Sequence, residues 1–155
     1  MVQGQVAAVL RLISRTLPPL AWAGVIFFLS HRPASDYETT AGALPNFAGR
    51  DYMAHGILYF VLAILLFRML TGVSGGARLW PAAATVAMAV LYGITDEYHQ
   101  SFIPGRTGNS LDVVADGLGA LAGVLAVILA ERLWVGARPG DAKSAKTSQH
   151  TTVGD

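Results

Sequence analysis

Two long apolar runs constrain this chain more than any other feature of its sequence. They extend from Leu79 to Ile94 and from Gly117 to Leu133, and acidic, His and Arg side chains lie between them within the stretch Thr95–Gly123. The chain is 53% hydrophobic and only 14% charged, with a mean hydropathy of +0.47. Because a soluble domain has about a quarter of its residues charged, we expect lipid to surround these runs.

The apolar pattern predicts an all-α fold, a bundle of four transmembrane helices in a multi-pass membrane protein. The apolar segment nearest the N-terminus, Leu17–Ser30, is short for a hydrocarbon core of about 30 Å. We therefore expect its helix to begin near Leu10 and to bend at Pro18 and Pro19, where the backbone donors are missing. The predicted spans are Leu17–Ser30, Asp51–Phe67, Leu79 to about Phe102, and Ser110–Trp134.

Composition divides the chain into three predicted segments. Residues 1–16 form an amphipathic, cytoplasmic lead-in, and residues 17–134 form the membrane domain. Residues 135–155 are poor in apolar side chains, which is typical of a disordered cytoplasmic tail. Cysteine is absent, so the chain has no thiolate ligand, thiol nucleophile or disulfide.

The basic residues predict which side of the membrane each loop occupies. Four spans place both termini on one side, and most of the 11 Lys and Arg residues lie in the terminal segments or the loop after the second span. By the positive-inside rule, those segments and both termini are cytoplasmic. The residues on that side are Arg11, Arg15, Arg68, Arg78, Arg132, Arg138, Lys143 and Lys146; those on the outer side are Arg32, Arg50 and Arg106.

This topology brings ionisable residues of three spans together on the extracytoplasmic side. Ionisable groups at membrane depth are costly and usually face the bundle interior or water. Asp51, His55 and Tyr59 recur at four-residue intervals, so they share one helical face. The predicted functional cluster consists of Asp51, His55, Tyr59, Glu97, Gln100, Arg106, Asp112 and Asp116.

Neighbouring polar positions have simpler explanations. Asp96 and His99 lie about 100° around the helix from the Glu97 and Gln100 face, so we expect them only at the interface. Asn109 or Ser110 is expected to cap the fourth span.

Small residues in the fourth span predict a close helix contact. Gly119 and Gly123 form a G-x-x-x-G pattern, which allows helices to approach closely in lipid. The contact could serve packing within the chain, or it could join two copies in a homo-oligomer.

The polar stretch also carries a family resemblance. Residues Glu97 to Arg106, EYHQSFIPGR, contain the pattern E-x-x-Q-x-F-x-P-G-R, and Asp112, Asp116-Gly117 and Gly119 follow it. This arrangement resembles the signature of the VanZ-like family, and Asp51, His55 and Tyr59 resemble the start of that family's second helix. The resemblance covers roughly Trp22 to Leu133.

The resemblance implies a small integral protein of the bacterial plasma membrane. The family's founding member is associated with resistance to teicoplanin, a lipoglycopeptide antibiotic. Two positions depart from the family pattern. Tyr52 stands where a Lys usually follows the helix-two Asp, and Asp116 stands at a position matched to Asn. Both changes make this site more acidic than the family pattern implies.

The first functional hypothesis is that the cluster binds or modifies a cell-envelope lipid or a lipid-linked precursor. Arg106 would hold a phosphate or carboxylate, and Tyr59, Gln100 and His55 would supply hydrogen bonds. Such an activity could lower susceptibility to lipoglycopeptides such as teicoplanin. The expected partners are membrane lipids, a lipid-linked precursor or the lipoglycopeptide. Nucleic acid is not expected, because no basic stripe with interleaved aromatic residues is present.

Two alternatives stay open. The cluster of Asp51, His55, Glu97, Asp112 and Asp116 could serve a metal-dependent or acid–base enzyme, with His55, Glu97 and Asp116 as the catalytic candidates. No HExxH, GxSxG or P-loop motif is present, so neither a metal nor a cofactor is assigned. The other alternative is a structural salt-bridge knot that fastens the second, third and fourth spans in a membrane scaffold.

Overall fold

The computed structural model describes residues 2–33, 35, 48–74 and 78–136. Over these ranges the protein is all-helical, and each of its four long helices is long and apolar enough to cross a membrane. The predicted all-α, four-span architecture is therefore confirmed. The helices are α1 (Val2–Ser30), α2 (Arg50–Ser74), α3 (Leu79–Gln100) and α4 (Ser110–Gly136).

The helix ends differ from the sequence prediction mainly in the first two helices. α1 begins at Val2, well before Leu10, and continues through Pro18 and Pro19. α2 continues to Ser74, so the residues from Thr71 to Ser74, predicted as loop, are helical. The Thr71 hydroxyl donates to the carbonyl of Phe67, one turn back, at 2.8 Å. The predicted disordered tail lies outside the described residues from position 137 onward.

Packing divides the described residues into a first unit that ends at Val124 and a second unit that begins at Leu125. The first unit contains every residue of the predicted polar cluster. In the second unit, Leu129 and Leu133 are 58% and 75% exposed, which is typical of helix faces that contact lipid.

The first unit combines a small core with a broad apolar exterior. Tyr59 and Phe67 of α2 and Ala89 of α3 are fully buried. By contrast, Leu20 of α1 and Leu91 of α3 are 68% and 63% exposed. Large exposed apolar side chains mark surfaces that contact membrane or partners, in agreement with four spans in a bilayer.

The G-x-x-x-G pattern of α4 packs against α2 of the same chain. A Cβ atom at Gly119 would overlap the carbonyl oxygen of Gly56, and one at Gly123 would lie 2.5 Å from the carbonyl oxygen of Phe60. Glycine is thus required for this separation of the helices. The homo-oligomer through Gly119 and Gly123 stays a prediction, and a second copy would have to share a face that α2 already contacts.

Side-chain hydrogen bonds attach α1 to its neighbours. The indole N–H of Trp22 donates to the carbonyl of Leu58 at 2.9 Å, and the Tyr92 hydroxyl donates to the carbonyl of Ala23 at 2.7 Å. These bonds use side-chain donors that would otherwise be costly in lipid. They fix α1 against α2 and α3 near the middle of the spans.

The α3–α4 connection is a tight turn, as the Pro104-Gly105 pair predicts. Gly105 has a φ of 78°, and the Arg106 N–H donates to the carbonyl of Ile103 at 3.1 Å. Asn109 then caps α4, since its side-chain oxygen accepts from the Leu111 N–H at 3.1 Å. The turn brings the end of α3 beside the start of α4.

Candidate functional site

Polar side chains of three helices meet near the α3–α4 turn. His55 lies near the start of α2, Glu97 near the end of α3, and Asp116 in the second turn of α4. Their exposed fractions are 9%, 6% and 0%. The structure therefore brings together the three residues that the sequence singled out as catalytic candidates.

The shortest cross-link in this group joins α2 to α4. His55 Nδ1 lies 3.0 Å from Asp116 Oδ1, within hydrogen-bonding distance. Asp51, one turn before His55, lies on the exposed edge instead: its side chain is 65% exposed and lies 3.7 Å from Arg50 Nε. Asp51 is thus the one predicted cluster residue that the structure leaves at the surface.

Glu97 and Asp112 complete this group, which we call the inner cluster: His55, Glu97, Asp112 and Asp116. The Asn109 N–H donates to Glu97 Oε2 at 2.7 Å. One potential ligand atom from each of His55, Glu97 and Asp112 lies within 4.8 Å of the other two. The three side chains are therefore close enough to share one small ligand or metal ion.

Several oxygen atoms in and beside the inner cluster lack a hydrogen-bond partner among the described residues. They are Tyr59 Oη, Glu97 Oε1, Asp112 Oδ1 and Asp116 Oδ2, and all are buried. An unsatisfied buried polar atom is costly, and most such atoms in proteins are paired with protein or ordered water. These oxygens therefore have capacity to bind a donor group or a cation.

A second polar group lies between α1 and α3, and we call it the outer group: Ser30, Asp96, Gln100 and Arg106. Asp96 Oδ2 accepts from the Ser30 hydroxyl at 2.7 Å and from the Gln100 side-chain amide at 3.0 Å. Arg106 Nη1 donates to the Ser30 carbonyl at 3.4 Å. Arg106 is half-buried, so the group reaches from the helix interior to the surface.

The expectation that Asp96 is only interfacial is wrong. Asp96 is 4% exposed and lies at the centre of the outer group. The signal was the spacing to Gln100, since residues four apart share a helix face. Ser30 was missed altogether, because a lone serine at the end of an apolar run has no distinctive pattern. His99 is half-exposed and lies 3.1 Å from His31, between ring nitrogens.

An apolar groove of about 580 Å³ lies between α1, α2 and α3. Along α3 it ends at the level of the outer group, because Thr95 in its wall directly precedes Asp96. Tyr92, whose hydroxyl donates to the carbonyl of Ala23 in α1, forms another part of the wall. The lining residues are Thr16, Pro19, Leu20, Ala23, Leu62, Leu66, Met69, Met88, Leu91, Tyr92 and Thr95.

Comparison with known proteins gives one match. A family model described as VanZ/LLP1 matches residues 16–131 of this chain. No curated protein and no solved structure matches it. The matched region includes the whole of α2 and α3 and both polar groups, and it agrees with the resemblance carried by Glu97–Arg106. The chain therefore belongs to the VanZ/LLP1 family.

Proposed function

We propose that this membrane protein binds a cell-envelope lipid at the outer leaflet. Its headgroup would lie at the outer group, and an acyl chain would lie in the groove. The observation that carries this proposal is the proximity of the two along α3, where Thr95 lines the groove and the next residue, Asp96, belongs to the outer group. A polar site near the end of an apolar groove matches the two parts of a lipid.

The groove has the size and lining of a ligand site. Its volume of about 580 Å³ lies within the range of about 300–1,000 Å³ that is common for ligand pockets. On α1 it extends from Thr16 to Ala23, about 10 Å along the axis at about 1.5 Å per residue. Both residues lie inside a membrane-spanning helix, where hydrocarbon chains are the abundant apolar molecules.

The outer group supplies the polar recognition. The guanidinium of Arg106 has five N–H donors, which allows it to contact the Ser30 carbonyl and a headgroup phosphate together. Phosphate is a preferred partner of this planar fork. Asp96, held by Ser30 and Gln100, would repel a bare anion and would favour a headgroup that also carries a hydroxyl or an ammonium group.

The proposed topology connects lipid binding with resistance. The basic residues predict that Arg106 and the α3–α4 turn face outward. A protein that holds lipid or lipid-linked precursor there would reduce the contact of a lipoglycopeptide such as teicoplanin with that material. In this proposal, resistance follows from lipid binding and needs no chemical change of the drug.

A purely structural role explains less. The His55–Asp116 contact does fasten α2 to α4, and the Ser30–Asp96 bond fastens α1 to α3. Fastening gives no reason for the buried oxygen atoms of Glu97 and Asp112 that lack partners within the described ranges. It also gives no reason for an apolar groove beside the polar group.

Lipid binding is tested by native mass spectrometry of the protein purified in mild detergent. Leu91→Trp places a large side chain in the groove wall, and Arg106→Ala removes the guanidinium. Ile94→Trp is the matched control, because Ile94 lies one turn from Leu91 on α3, is 50% exposed and is not part of the lining. We expect both test variants to lose most of the co-purified lipid and the control to retain it.

The result that would contradict the proposal is equal lipid occupancy in all four proteins. A loss that occurs only together with loss of folded protein would favour the structural knot instead. Helical circular dichroism and a single elution peak are therefore required for each variant.

A further inference from the structure

The inner cluster has the composition of a metal site rather than of a simple ion pair. Glu97 is only 6% exposed, and its Oε1 has no hydrogen-bond partner among the described residues. Asp112 Oδ1 is also buried without a hydrogen-bond partner among these residues. A ring nitrogen of His55 and one carboxylate oxygen each of Glu97 and Asp112 lie within 4.8 Å of one another. Two ionised carboxylates this close repel each other, and a cation bound between them relieves the repulsion, as protonation of one of them also would.

The orientation of His55 gives a second, independent indication. Its Nδ1 is held at 3.0 Å from Asp116 Oδ1, and Asp116 is completely buried. Nε2 is then the ring nitrogen left for a ligand. Histidine ligands almost always donate their other ring N–H to a carboxylate or carbonyl, which fixes the ring and its tautomer.

We propose that His55, Glu97 and Asp112 bind one divalent transition-metal ion, with Asp116 as the positioning residue for His55. The two ligating carboxylates would balance the charge of the ion. One imidazole with two carboxylates suits Mn²⁺, Fe²⁺ or Zn²⁺ better than Mg²⁺, which prefers oxygen ligands and retains its water. Three protein ligands leave coordination positions open for water or an oxygen ligand.

This metal site does not depend on the lipid proposal. Its ligands come from α2, α3 and α4, whereas the groove is formed by α1, α2 and α3. Metal binding is measured on lipid-free protein in detergent, and lipid capture is measured on protein treated with a chelator. Either measurement can fail while the other succeeds.

The direct test is titration of the chelator-treated, desalted full-length protein with Mn²⁺, followed by the electron paramagnetic resonance signal of free Mn²⁺, with Zn²⁺ as competitor. We expect one bound ion per chain. Changes in the outer shell of a metal site cost about 10–100-fold in affinity, so we expect that loss for Asp116→Asn. Glu97→Gln and Asp112→Asn remove ligands and should cost more than Asp116→Asn does.

Asp51→Asn is the matched control. It removes a carboxylate from the same end of α2 as His55, and the side chain of Asp51 is 65% exposed. It should change the affinity far less than the ligand variants do. Absence of Mn²⁺ and Zn²⁺ binding by the wild type, or equal affinity in the control and the ligand variants, would overturn the proposal. If a ligand variant does not fold, the test is the Tm of the wild-type protein. Mn²⁺ and Zn²⁺ should each raise this Tm by binding to the folded state, and an unchanged Tm would overturn the proposal.

Discussion

His55 Nδ1 on α2 lies 3.0 Å from Asp116 Oδ1 on α4, and Asp116 is fully buried. The family resemblance matches the position of Asp116 to Asn. The residue that contacts His55 is therefore an acid in this chain instead of an amide. A carboxylate accepts a stronger hydrogen bond from imidazole than an amide does. The pair therefore both joins two helices and fixes the orientation of the imidazole.

We expect Asp116→Ala to destabilise the protein by about 1–3 kcal/mol, since it leaves a buried His55 nitrogen without its partner. The measurement is the free energy of unfolding from SDS titration in mixed micelles. His55→Ala with Asp116→Ala should cost less than the sum of the single changes. Additive costs would show that the two side chains do not interact.

Gly119→Ala tests the close approach of α2 and α4. The new methyl group would overlap the Gly56 carbonyl oxygen, so the helices must separate, at a cost of about 1–3 kcal/mol. Gly24→Ala is the control, because a Cβ atom there meets nothing within 4 Å. Equal stability of the two variants in SDS titration would contradict the packing.

Gly93→Ala should damage the inner cluster without changing any of its side chains. A Cβ atom at Gly93 would lie 2.5 Å from Asp116 Oδ2, so Asp116 must move away from its position against His55. We expect Mn²⁺ affinity to fall about 10-fold or more, as for a change in the outer shell of a metal site.

Gly117→Ala is the matched control for this change. Its Cβ atom would meet a methyl group of Val90 at 3.3 Å, which a small side-chain adjustment relieves. Unchanged Mn²⁺ affinity in Gly93→Ala, or an equal loss in both variants, would show that the position of Asp116 does not control the site.

Tyr92→Phe removes the hydrogen bond to the Ala23 carbonyl that joins α3 to α1. Interhelical hydrogen bonds in membranes contribute about 0.6 kcal/mol on average, and we expect a loss of that order. Tyr98→Phe, at a side chain that is 70% exposed, should cost nothing measurable. The measurement is the free energy of unfolding of both variants by SDS titration. A loss in Tyr92→Phe alone shows that the Tyr92 hydroxyl joins the two helices.

The helices were predictable because lipid imposes a simple rule on them. Every backbone polar group must be paired within the bilayer, so each long apolar run must be a helix. The ends were less predictable. The prolines at 18 and 19 do not end α1, and Thr71 continues α2 through a local hydrogen bond to Phe67, although its neighbours in sequence are typical of a loop.

The proximity of most cluster residues was predicted from the sequence, but their pairing was not. The helix ends determine which residues lie at one side of the membrane, and this placed His55, Glu97 and Asp116 together. The choice of partner depends on helix rotation, which residue spacing does not fix. Ser30 and Asp96 show this, since their bond joins helices that are far apart in sequence.

The central claim is that the polar cluster opens to the outer face of the membrane, and cysteine accessibility tests it most directly. The chain has no Cys, so single cysteines can be introduced at Thr107, in the exposed α3–α4 turn, and at Leu79, which is 90% exposed at the start of the third span. A membrane-impermeant maleimide should label Thr107→Cys in intact cells and Leu79→Cys only after lysis. The opposite pattern would contradict the account.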